Sequence, residues 1–365
     1  MTEPQPNIGP EFERWVHNAV ANLSVLNDLT TQALSNLEIT PLSGDAGFRQ
    51  YHRVNVANLS FLAAAVPPTA TNTTIFSDIS HSLNVCGVSA PEILAIDNDK
   101  GWLLIEDFGD DLLFNIIQSQ PEDVHSLYAQ SAMTLLSIQQ NRDYNLAIDS
   151  YSPKKLIDEM ALFEQWFLPK LIGFNDLDKW VAIRDELFPV LVANALAQPQ
   201  VLVHRDYHCR NLIVRDGLPL AVIDFQDAVW GPVTYDVVSL LKDCYLRWQP
   251  EQVRTWALSY RNLAQDAGII GEVSDEQFIR WLDLVGLQRH IKVLGIFARL
   301  FLRDGKSAYL HDLTRVLSYV IEVCEKYPET QAFGAFINDD LMPLISSQTW
   351  YNPDSAMPIA LDKIS

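Results

Sequence analysis

The sequence predicts an α+β fold of two lobes: a small N-terminal lobe built on an antiparallel sheet and a larger, mainly helical C-terminal lobe. Two observations along the chain predict it. Short apolar runs separated by turn residues dominate the first 106 residues. Longer segments with helical periodicity follow residue 110. The length of 365 residues and the 48% hydrophobic content are sufficient for two such lobes.

The N-terminal lobe is predicted to comprise residues 1–106. Helical periodicity indicates an opening helix over 11–38, and five strands are expected at 39–42, 51–56, 61–66, 93–96 and 102–105. The turn between the first two strands has the sequence Gly44-Asp45-Ala46-Gly47. Such a turn is either a plain hairpin connection or a loop whose backbone N–H groups cover nucleotide phosphates.

The C-terminal lobe is predicted to comprise residues 107–365. Helices are expected at 121–140, 153–172, 176–197, 233–247, 250–267, 274–303 and 307–326. The tail after Pro328 has little periodicity, so we expect it to be irregular.

Three polar residues in a fixed order carry the chemical signal. Asp206 and Asn211 lie in the run His204-Arg205-Asp206-Tyr207-His208-Cys209-Arg210-Asn211, and Asp224 follows a short apolar strand. In phosphoryl transfer an Asp accepts the proton of the acceptor hydroxyl, and an Asn and a later Asp hold Mg²⁺. The order therefore predicts a kinase that uses ATP and Mg²⁺, with Asp206 as the base and Asn211 and Asp224 as metal ligands. The alternative is that these are ordinary loop and strand-end acids.

The residues between Asn211 and Asp224 predict a β-hairpin. Two apolar runs, 212–214 and 220–223, flank the turn Arg215-Asp216-Gly217. A hairpin brings its two ends together, so the two metal ligands at its ends are expected to meet at one ion.

The residues after Asp224 indicate what kind of kinase this is. A protein kinase has Gly directly after Asp-Phe and then a long activation segment. Here Gln226 and Asp227 follow, and Gly231 to Asp236 begins almost at once, which leaves no room for that segment.

The string Asp107-Phe108-Gly109 precedes Asp206 and so cannot supply the later metal ligand. We expect residues 106–109 to form the hinge after the last N-terminal strand. Backbone groups of Glu106, Asp107 and Phe108 would there hydrogen-bond the adenine edge.

Two features after the base are typical of a known superfamily. His208 stands two residues after Asp206, and Tyr235-Asp236 leads an apolar helix. This pattern resembles the aminoglycoside phosphotransferase and choline kinase superfamily. The resemblance implies a protein-kinase-like fold and a small-molecule substrate.

A narrower resemblance, to the bacterial anomeric kinases of N-acetylmuramate and N-acetylglucosamine, rests on segments 45–53, 223–241 and 288–310 and spans about residues 42–327. It implies phosphorylation of the anomeric hydroxyl to a sugar 1-phosphate in cell-wall recycling. It also implies a phosphate loop, with nucleotide-binding residues Gly44, Asp45, Gly47, Phe48, Arg49 and Arg53.

The chain departs from the general kinase pattern at the third strand. A kinase places a Lys there to contact the phosphates, but Ala64 stands near that position and the first lysine of the chain is Lys100. We hypothesise that Arg49 or Arg53 replaces it, since Arg can hold two phosphate oxygens at once. The alternative is that both are solvated strand residues.

Basic residues recur on one face of the helix expected at 274–303: Arg289, Lys292, Arg299 and Arg303. The first three are candidates for binding an anionic substrate group, such as the lactyl carboxylate of N-acetylmuramate, or the product phosphate. The alternative is a solvated or ion-paired face. His208 is expected to orient the loop near the substrate, and Asp227 to bind a sugar hydroxyl or assist a second metal.

Composition excludes several partner classes. A net charge of −20 argues against nucleic acid. No run of about eighteen apolar residues and no secretory signal occur, so we expect a cytoplasmic protein without membrane contact. The four cysteines form no pattern typical of zinc or disulfides.

Two other functions remain open from the sequence, as does the oligomeric state. The acidic composition suits a cationic acceptor such as an aminoglycoside or choline. The missing strand lysine is also compatible with a nucleotide-binding pseudokinase that acts as a scaffold, although such a scaffold would have no need of Asp206.

Overall fold

The computed structural model describes residues 8–23, 36–42, 49–66, 73–143 and 145–359. The N-terminal elements are helix α1 (Pro10–Ala21), strands β1 (Glu38–Pro41), β2 (Gln50–Val56) and β3 (Leu59–Ala65), helix α2 (Thr73–Val85), and strands β4 (Ile93–Asp97) and β5 (Trp102–Glu106). The strands form one antiparallel sheet in the order β1-β2-β3-β5-β4. This confirms the predicted strands to within two residues. The predicted opening helix is described only as far as α1, and the rest of it lies outside the described residues.

The two faces of this sheet have different roles. One face packs against α1, where Phe12 and Val16 meet Val54, Phe61 and Trp102 in a buried core. These side chains alternate along their strands, as one buried sheet face requires. The opposite face carries Tyr51, which pairs with Ala64, and Arg53, which pairs with Leu62. The position expected for a kinase lysine, Ala64, therefore lies on the face away from α1.

Helices make up most of the chain after β5. They are α3 (Leu113–Ser119), α4 (Val124–Gln139), α5 (Pro153–Leu162) with a π-helical extension (Phe163–Leu171), α6 (Leu177–Leu196), α7 (Tyr235–Leu241), α8 (Pro250–Asp266), α9 (Asp275–Asp304) and α10 (Leu313–Lys326). Most of these helices lie at the positions that the sequence predicts. The helix expected at 233–247 ends earlier, at Leu241, because Asp243 accepts the backbone N–H groups of Cys209 and Tyr245 in a non-helical turn.

Helix α9 is the central helix of this region. The side chain of Ser274 caps its start by accepting the N–H of Gln277, and Gly305, with a φ of 70°, ends it. At Gly295 an added Cβ would lie 2.4 Å from the carbonyl carbon of Leu162, so only glycine lets α9 approach the end of α5 this closely. This contact sets the position of the α9 residues one turn earlier.

Two short strand pairs position the chemically important loops. Strands β6 (Gln200–Val203) and β9 (Val229–Pro232) pair with each other, as do β7 (Leu212–Ile213) and β8 (Ala221–Val222). The β7–β8 pair confirms the predicted hairpin, and Gly217 turns it with a φ of 68°. Asp206 and Asn211 follow β6, and Asp224 follows β8.

The expectation of an irregular tail after Pro328 is wrong. The chain there forms α11 (Gln331–Phe336), a π-helical turn (Ile337–Leu341) and α12 (Met342–Ile345). These segments bury Phe333, Phe336, Ile337, Leu341 and Ile345. Each helix is at most six residues long, so periodicity over a longer window does not reveal it.

The contacts between residues divide the chain into two compact units. The first contains Met1–Leu112, Asp143–Ala147 and Leu212–Gln226, and the second contains Leu113–Arg142, Ile148–Asn211 and Asp227–Ser365. The grouping differs from a division after residue 106, because bridges between Ser89 and Ala221 and between Leu112 and Ile213 join the β7–β8 hairpin to the first unit. In the described residues, no helix is long and apolar enough to cross a membrane.

Candidate active site

The loop after β6 is held by Asp236, a fully buried acid in the first turn of α7. Its carboxylate accepts the backbone N–H groups of His204 at 2.7 Å and Arg205 at 2.9 Å. Arg205 has a φ of 76°, a conformation that is costly for a residue other than glycine. Burial raises the pKa of Asp236 to about 6, although the charge of His204 and the two amide bonds act in the opposite direction. The sequence marked Asp236 as a family feature, but we missed that it shapes the loop.

Asp206 follows Arg205 and lies among positive charges of the second unit. Burial raises the pKa of its carboxyl group, but the charges of Lys292, Arg205 and Arg289 act against burial, and the pKa lies below its ordinary value. The carboxylate is therefore ionised at neutral pH and able to accept a proton or orient a hydroxyl group.

Asn211 is turned toward the backbone of the base. Its Nδ2 donates to the carbonyl oxygen of Asp206 at 2.9 Å, and its backbone N–H donates to the carbonyl oxygen of His208 at 2.9 Å. These bonds fix the amide group and leave its Oδ1 as the atom that can serve as a metal ligand.

A network of buried polar side chains lies directly behind the loop. Glu159 on α5 forms ion pairs with Arg205 and, at 3.1 Å, with Lys292, and it accepts a hydrogen bond from Tyr151. Lys292 also donates to the Tyr235 hydroxyl at 3.2 Å. Burial raises the pKa of Glu159, but Lys292 and Arg205 lower it more, so the pKa lies below its ordinary value. We missed Glu159 in the sequence, because no local motif surrounds it.

The basic face of α9 divides into three parts. Arg289 and Lys292 are buried, so the alternative of a solvated face is wrong for both, whereas the ion-paired alternative holds for Lys292. Arg289 donates to the Cys244 sulfur at 3.5 Å. Arg299 is half-buried, and its Nε has no hydrogen-bond partner among the described residues. Arg303 is exposed and pairs with Asp304 at 2.7 Å.

His208 and Asp227 differ in exposure. His208 is buried, with its ring centroid 5.2 Å from that of Tyr245. Burial lowers the pKa of His208, which keeps the ring neutral at pH 7. Asp227 is exposed, and its carbonyl oxygen accepts from Arg205 at 3.2 Å.

The predicted metal ligand of the first unit, Asp224, is exposed and has a φ of 66°. Its Oδ1 accepts a hydrogen bond from the Gln226 side chain at 2.7 Å. The next residue, Phe225, is buried and stacks on Phe76 of α2, with ring centroids 4.8 Å apart. The stack anchors the chain on one side of Asp224, which holds the carboxylate in this unusual backbone conformation.

Arg53 is engaged at the predicted hinge. Its Nε donates to Asp107 at 2.7 Å, its Nη1 donates to Asp110 at 2.6 Å, and its Nη2 donates to both acids. Asp107 also accepts the Ser60 hydroxyl at 2.5 Å. All three guanidinium nitrogens are thus engaged with these two acids, and a role of Arg53 at the nucleotide phosphates stays a prediction.

The other predicted nucleotide-binding residues are only partly described. Gly44, Asp45, Gly47 and Phe48 lie outside the described residues. In the hinge, the N–H of Glu106 donates to the Glu92 carbonyl at 3.0 Å, and the Phe108 ring lies under the Arg215 guanidinium at 4.8 Å. The hinge segment is thereby fixed by both the sheet and the hairpin.

The predicted metal ligands are chemically suited to Mg²⁺. In the described part of the chain, no group of three or more His, Cys, Asp or Glu side chains could hold a metal ion. An amide oxygen from Asn211 and a carboxylate from Asp224 are hard oxygen donors, and Mg²⁺ in kinases takes few protein ligands and fills its shell with phosphate oxygens and water. The donor set therefore fits.

An antiparallel sheet followed by a helical region, with the ordered residues Asp206, Asn211 and Asp224, defines a phosphotransferase of protein-kinase-like fold. This confirms the predicted fold class. Residues 38–269 match the phosphotransferase enzyme family called APH, and the chain belongs to that family. The protein is therefore an enzyme that transfers a phosphoryl group to a hydroxyl acceptor, which sets aside the scaffold alternative.

Individual relatives agree with the family. The chain is 40% identical over 299 residues to the N-acetylmuramate/N-acetylglucosamine kinase of Pseudomonas putida, covering 82% of this chain and 87% of that protein. It is 34% identical over 308 residues to the kinase of the same name from Neisseria meningitidis, covering 83% and 90%. The ADP-bound crystal structure of the aminoglycoside phosphotransferase APH(2'')-Ib superposes with a TM-score of 0.56 at 13% identity, covering 87% of this chain and 99% of that one. The last likeness concerns the fold alone.

Proposed function

We propose that this protein transfers the γ-phosphoryl group of ATP to the anomeric hydroxyl of N-acetylmuramate, N-acetylglucosamine or both, with Mg²⁺, in the cytoplasm where ATP is supplied. The observation that carries the proposal is Asp206, an ionised carboxylate among buried cations, five residues before Asn211. The printed names of the two relatives support the choice of acceptor.

The proposed reaction is a direct displacement. The anomeric oxygen of the sugar attacks the γ-phosphorus, the bond from that phosphorus to the bridging oxygen breaks, and ADP leaves. The proton of the sugar hydroxyl passes to Asp206. Arg205 and Asp236 take no part in the transfer itself. The hydrogen bond between them fixes the backbone that presents the Asp206 carboxylate before substrate binds.

Asn211 and Asp224 are proposed to supply the protein oxygens for Mg²⁺. When bound, the ion supplies positive charge that stabilises the phosphate oxygens during transfer. Asn211 is suited to this because its Nδ2 is already bonded to the Asp206 carbonyl, so the amide is oriented before substrate arrives.

Substrate recognition is proposed to involve both buried and half-buried residues. Arg289 and Lys292 give the base a positive surrounding, and the neutral His208 orients the loop. The exposed Asp227 is available to accept a sugar hydroxyl. Arg299, whose Nε has no hydrogen-bond partner among the described residues, is proposed to bind the substrate carboxylate.

Nucleotide binding is proposed to use the loop residues Gly44, Asp45, Gly47 and Phe48 for the phosphates. The hinge residues Glu106, Asp107 and Phe108 are proposed to lie beside the adenine. The N–H groups of Glu106 and Gly109 are already bonded within the protein, so the backbone groups of Asp107 and Phe108 are the ones proposed for this task.

An acceptor panel tests the proposal. ADP release with Mg-ATP is measured with N-acetylmuramate, N-acetylglucosamine, glucose, choline and kanamycin, with Asp206→Asn as the control. Turnover on the N-acetyl sugars that the control lacks supports the proposal. Turnover on choline or kanamycin alone contradicts it.

The Arg299 assignment has a separate test. Arg299→Gln is expected to raise KM for N-acetylmuramate by about tenfold and to leave KM for the uncharged N-acetylglucosamine within about twofold, since only the first sugar carries a carboxylate. Arg303→Gln, one turn further along α9 and exposed, is the matched control. Equal effects on the two sugars would remove the carboxylate assignment.

A further inference from the structure

The first unit lacks the lysine with which a kinase strand screens nucleotide phosphates, and its cations Arg53, Lys100 and Arg215 are engaged within the protein. Before Lys100 the chain has only Arg14, Arg49 and Arg53 as basic residues. Lys100 pairs with Glu11 of α1 at 2.8 Å, on the α1 side of the sheet. Arg14 is exposed on α1, and Arg53 is bound at the hinge. Arg49 is therefore the cation to consider.

Arg49 lies on the sheet face where the lysine would project. It precedes β2 directly, two residues before Tyr51, and residues two apart on a strand point to the same side. Tyr51 is the cross-strand partner of Ala64, so both share that face. Arg49 thus lies directly before the neighbouring strand, on the sheet face where Ala64 stands in place of the lysine.

The same face lies near the metal ligand Asp224. Burial raises the pKa of the Tyr51 hydroxyl, the charge and hydrogen bond of Arg49 lower it, and the charge of Asp224 raises it further, for a net increase. Both charged groups therefore lie within electrostatic reach of one phenol. A cation and the proposed metal-binding carboxylate thus both act on Tyr51, and a nucleotide phosphate site needs these two kinds of group near each other.

Arg49 is held by an aromatic ring. Its guanidinium carbon lies 4.7 Å from the centre of the Phe76 ring on α2. In other kinases a Glu on the corresponding helix pairs with the strand lysine. Here the acid of α2, Asp78, is exposed, whereas Phe76 is buried. An aromatic face orients a guanidinium without neutralising it.

Two of the Arg49 nitrogens lack a counterpart. Its Nε and Nη2 are buried and have no hydrogen-bond partner among the described residues. Buried donors of a charged group are costly when unpaired. A phosphate group can accept hydrogen bonds from both of these nitrogens at once, so it is the kind of ligand that they would bind.

We propose that Arg49 binds the nucleotide phosphates in place of the strand lysine, and that Phe76 positions it through a cation–π contact in place of the helix glutamate. Because Phe76 also stacks on Phe225, next to Asp224, one ring orients both the phosphate-binding cation and the chain that carries the metal ligand. This inference rests on the proposed use of ATP. It does not depend on which sugar accepts the phosphoryl group.

Calorimetric titration with ATP and with adenosine, both without sugar, tests the role of Arg49. Arg49→Met is expected to raise the Kd of ATP by about tenfold or more and to leave the Kd of adenosine unchanged. The control Arg14→Met should change neither. An unchanged ratio of the two affinities in Arg49→Met would overturn the proposal. If that variant does not fold, the uncharged Arg49→Gln is measured instead, and an ATP Kd equal to that of the unmodified protein would overturn the proposal.

Two substitutions test the role of Phe76: one removes the aromatic ring, and the other keeps it. Phe76→Leu, which removes the ring face, is expected to raise the Kd of ATP by about threefold without affecting adenosine, and Phe76→Tyr should restore binding. Phe61→Leu is the matched control, because it removes a buried ring from the α1 side of the sheet. A Phe76→Leu variant that behaves like Phe61→Leu would overturn the positioning role. If the unmodified protein does not bind ATP at all, the proposed function fails instead.

Discussion

The Asp206 region of the second unit and the Asp224 region of the first are stabilised by different forces. Behind Asp206, Glu159 pairs with the buried Lys292 and the partly buried Arg205, and the Asp236 carboxylate accepts two loop amides. Beside Asp224, an aromatic stack holds a backbone with positive φ while the carboxylate itself stays exposed. The proposed base is thus fixed by buried charge, and the proposed metal ligand by packing.

This difference suits the two tasks. A base must keep its charge and direction before the acceptor arrives, and buried ion pairs give both, at a cost in desolvation. A metal ligand must meet an ion that arrives with the nucleotide, so an exposed carboxylate on a fixed backbone is sufficient. The predictions below test whether the two regions respond differently to substitution.

The largest expected effect is the loss of the base. Asp206→Asn should lower kcat by about a thousandfold, because no carboxylate then accepts the proton of the sugar hydroxyl. The Kd of ATP measured by titration should stay within about twofold, since the nucleotide is bound by other residues. A variant that keeps more than a tenth of the activity would show that Asp206 is not the base.

Removal of the buried acid behind the loop comes next. Glu159→Gln leaves Arg205 and Lys292 buried without their counter-charge and should lower the free energy of unfolding by roughly 3 kcal/mol, with a loss of kcat larger than any change in nucleotide affinity. Urea unfolding measures the first effect and steady-state kinetics the second. Asp158→Asn, on the same helix and in an exposed pair with Lys154, is the control and should change little. Equal effects of the two substitutions would contradict the account.

The pKa of Asp236 predicts a pH dependence of stability. Because the folded-state pKa of about 6 lies above the ordinary value, the folded protein binds this proton more tightly than the unfolded chain does. The resulting stabilisation is present below about pH 4 and is lost as the pH rises toward 6, by about 3 kcal/mol at most. Asp236→Asn should flatten unfolding free energies over this window. An unchanged slope would assign the dependence to another group.

The smallest effect is expected at the hinge. Arg53→Met should weaken adenosine and ATP equally, by about threefold, because it releases Asp107 and so loosens the adenine site rather than the phosphate site. This contrasts with Arg49→Met, which should affect ATP alone. Preferential loss of ATP binding in Arg53→Met would instead identify Arg53 as a phosphate ligand.

Local patterns made the strands, the hairpin and the ordered residues Asp206, Asn211 and Asp224 predictable. Each depends on neighbours within a few positions, such as the turn at Gly217. Glu159 was not predictable, because its partners Arg205 and Lys292 lie far away in sequence. Lys292 reaches it because α9 packs closely against the end of α5 at Gly295. The contact of Arg49 with Phe76 was not predictable for the same reason, since the two residues lie far apart in sequence. The helices after Pro328 are too short to show a helical repeat in the sequence.

The central claim is that the phosphoryl group moves to the anomeric hydroxyl in a step that needs Asp206. Phosphorus–proton correlation NMR of the product formed from N-acetylglucosamine and Mg-ATP tests it most directly. We predict a phosphorus resonance coupled to the anomeric proton, formed by the unmodified protein and absent with Asp206→Asn. A phosphorus coupled to the protons at carbon 6, or an equal yield from the variant, would contradict the account.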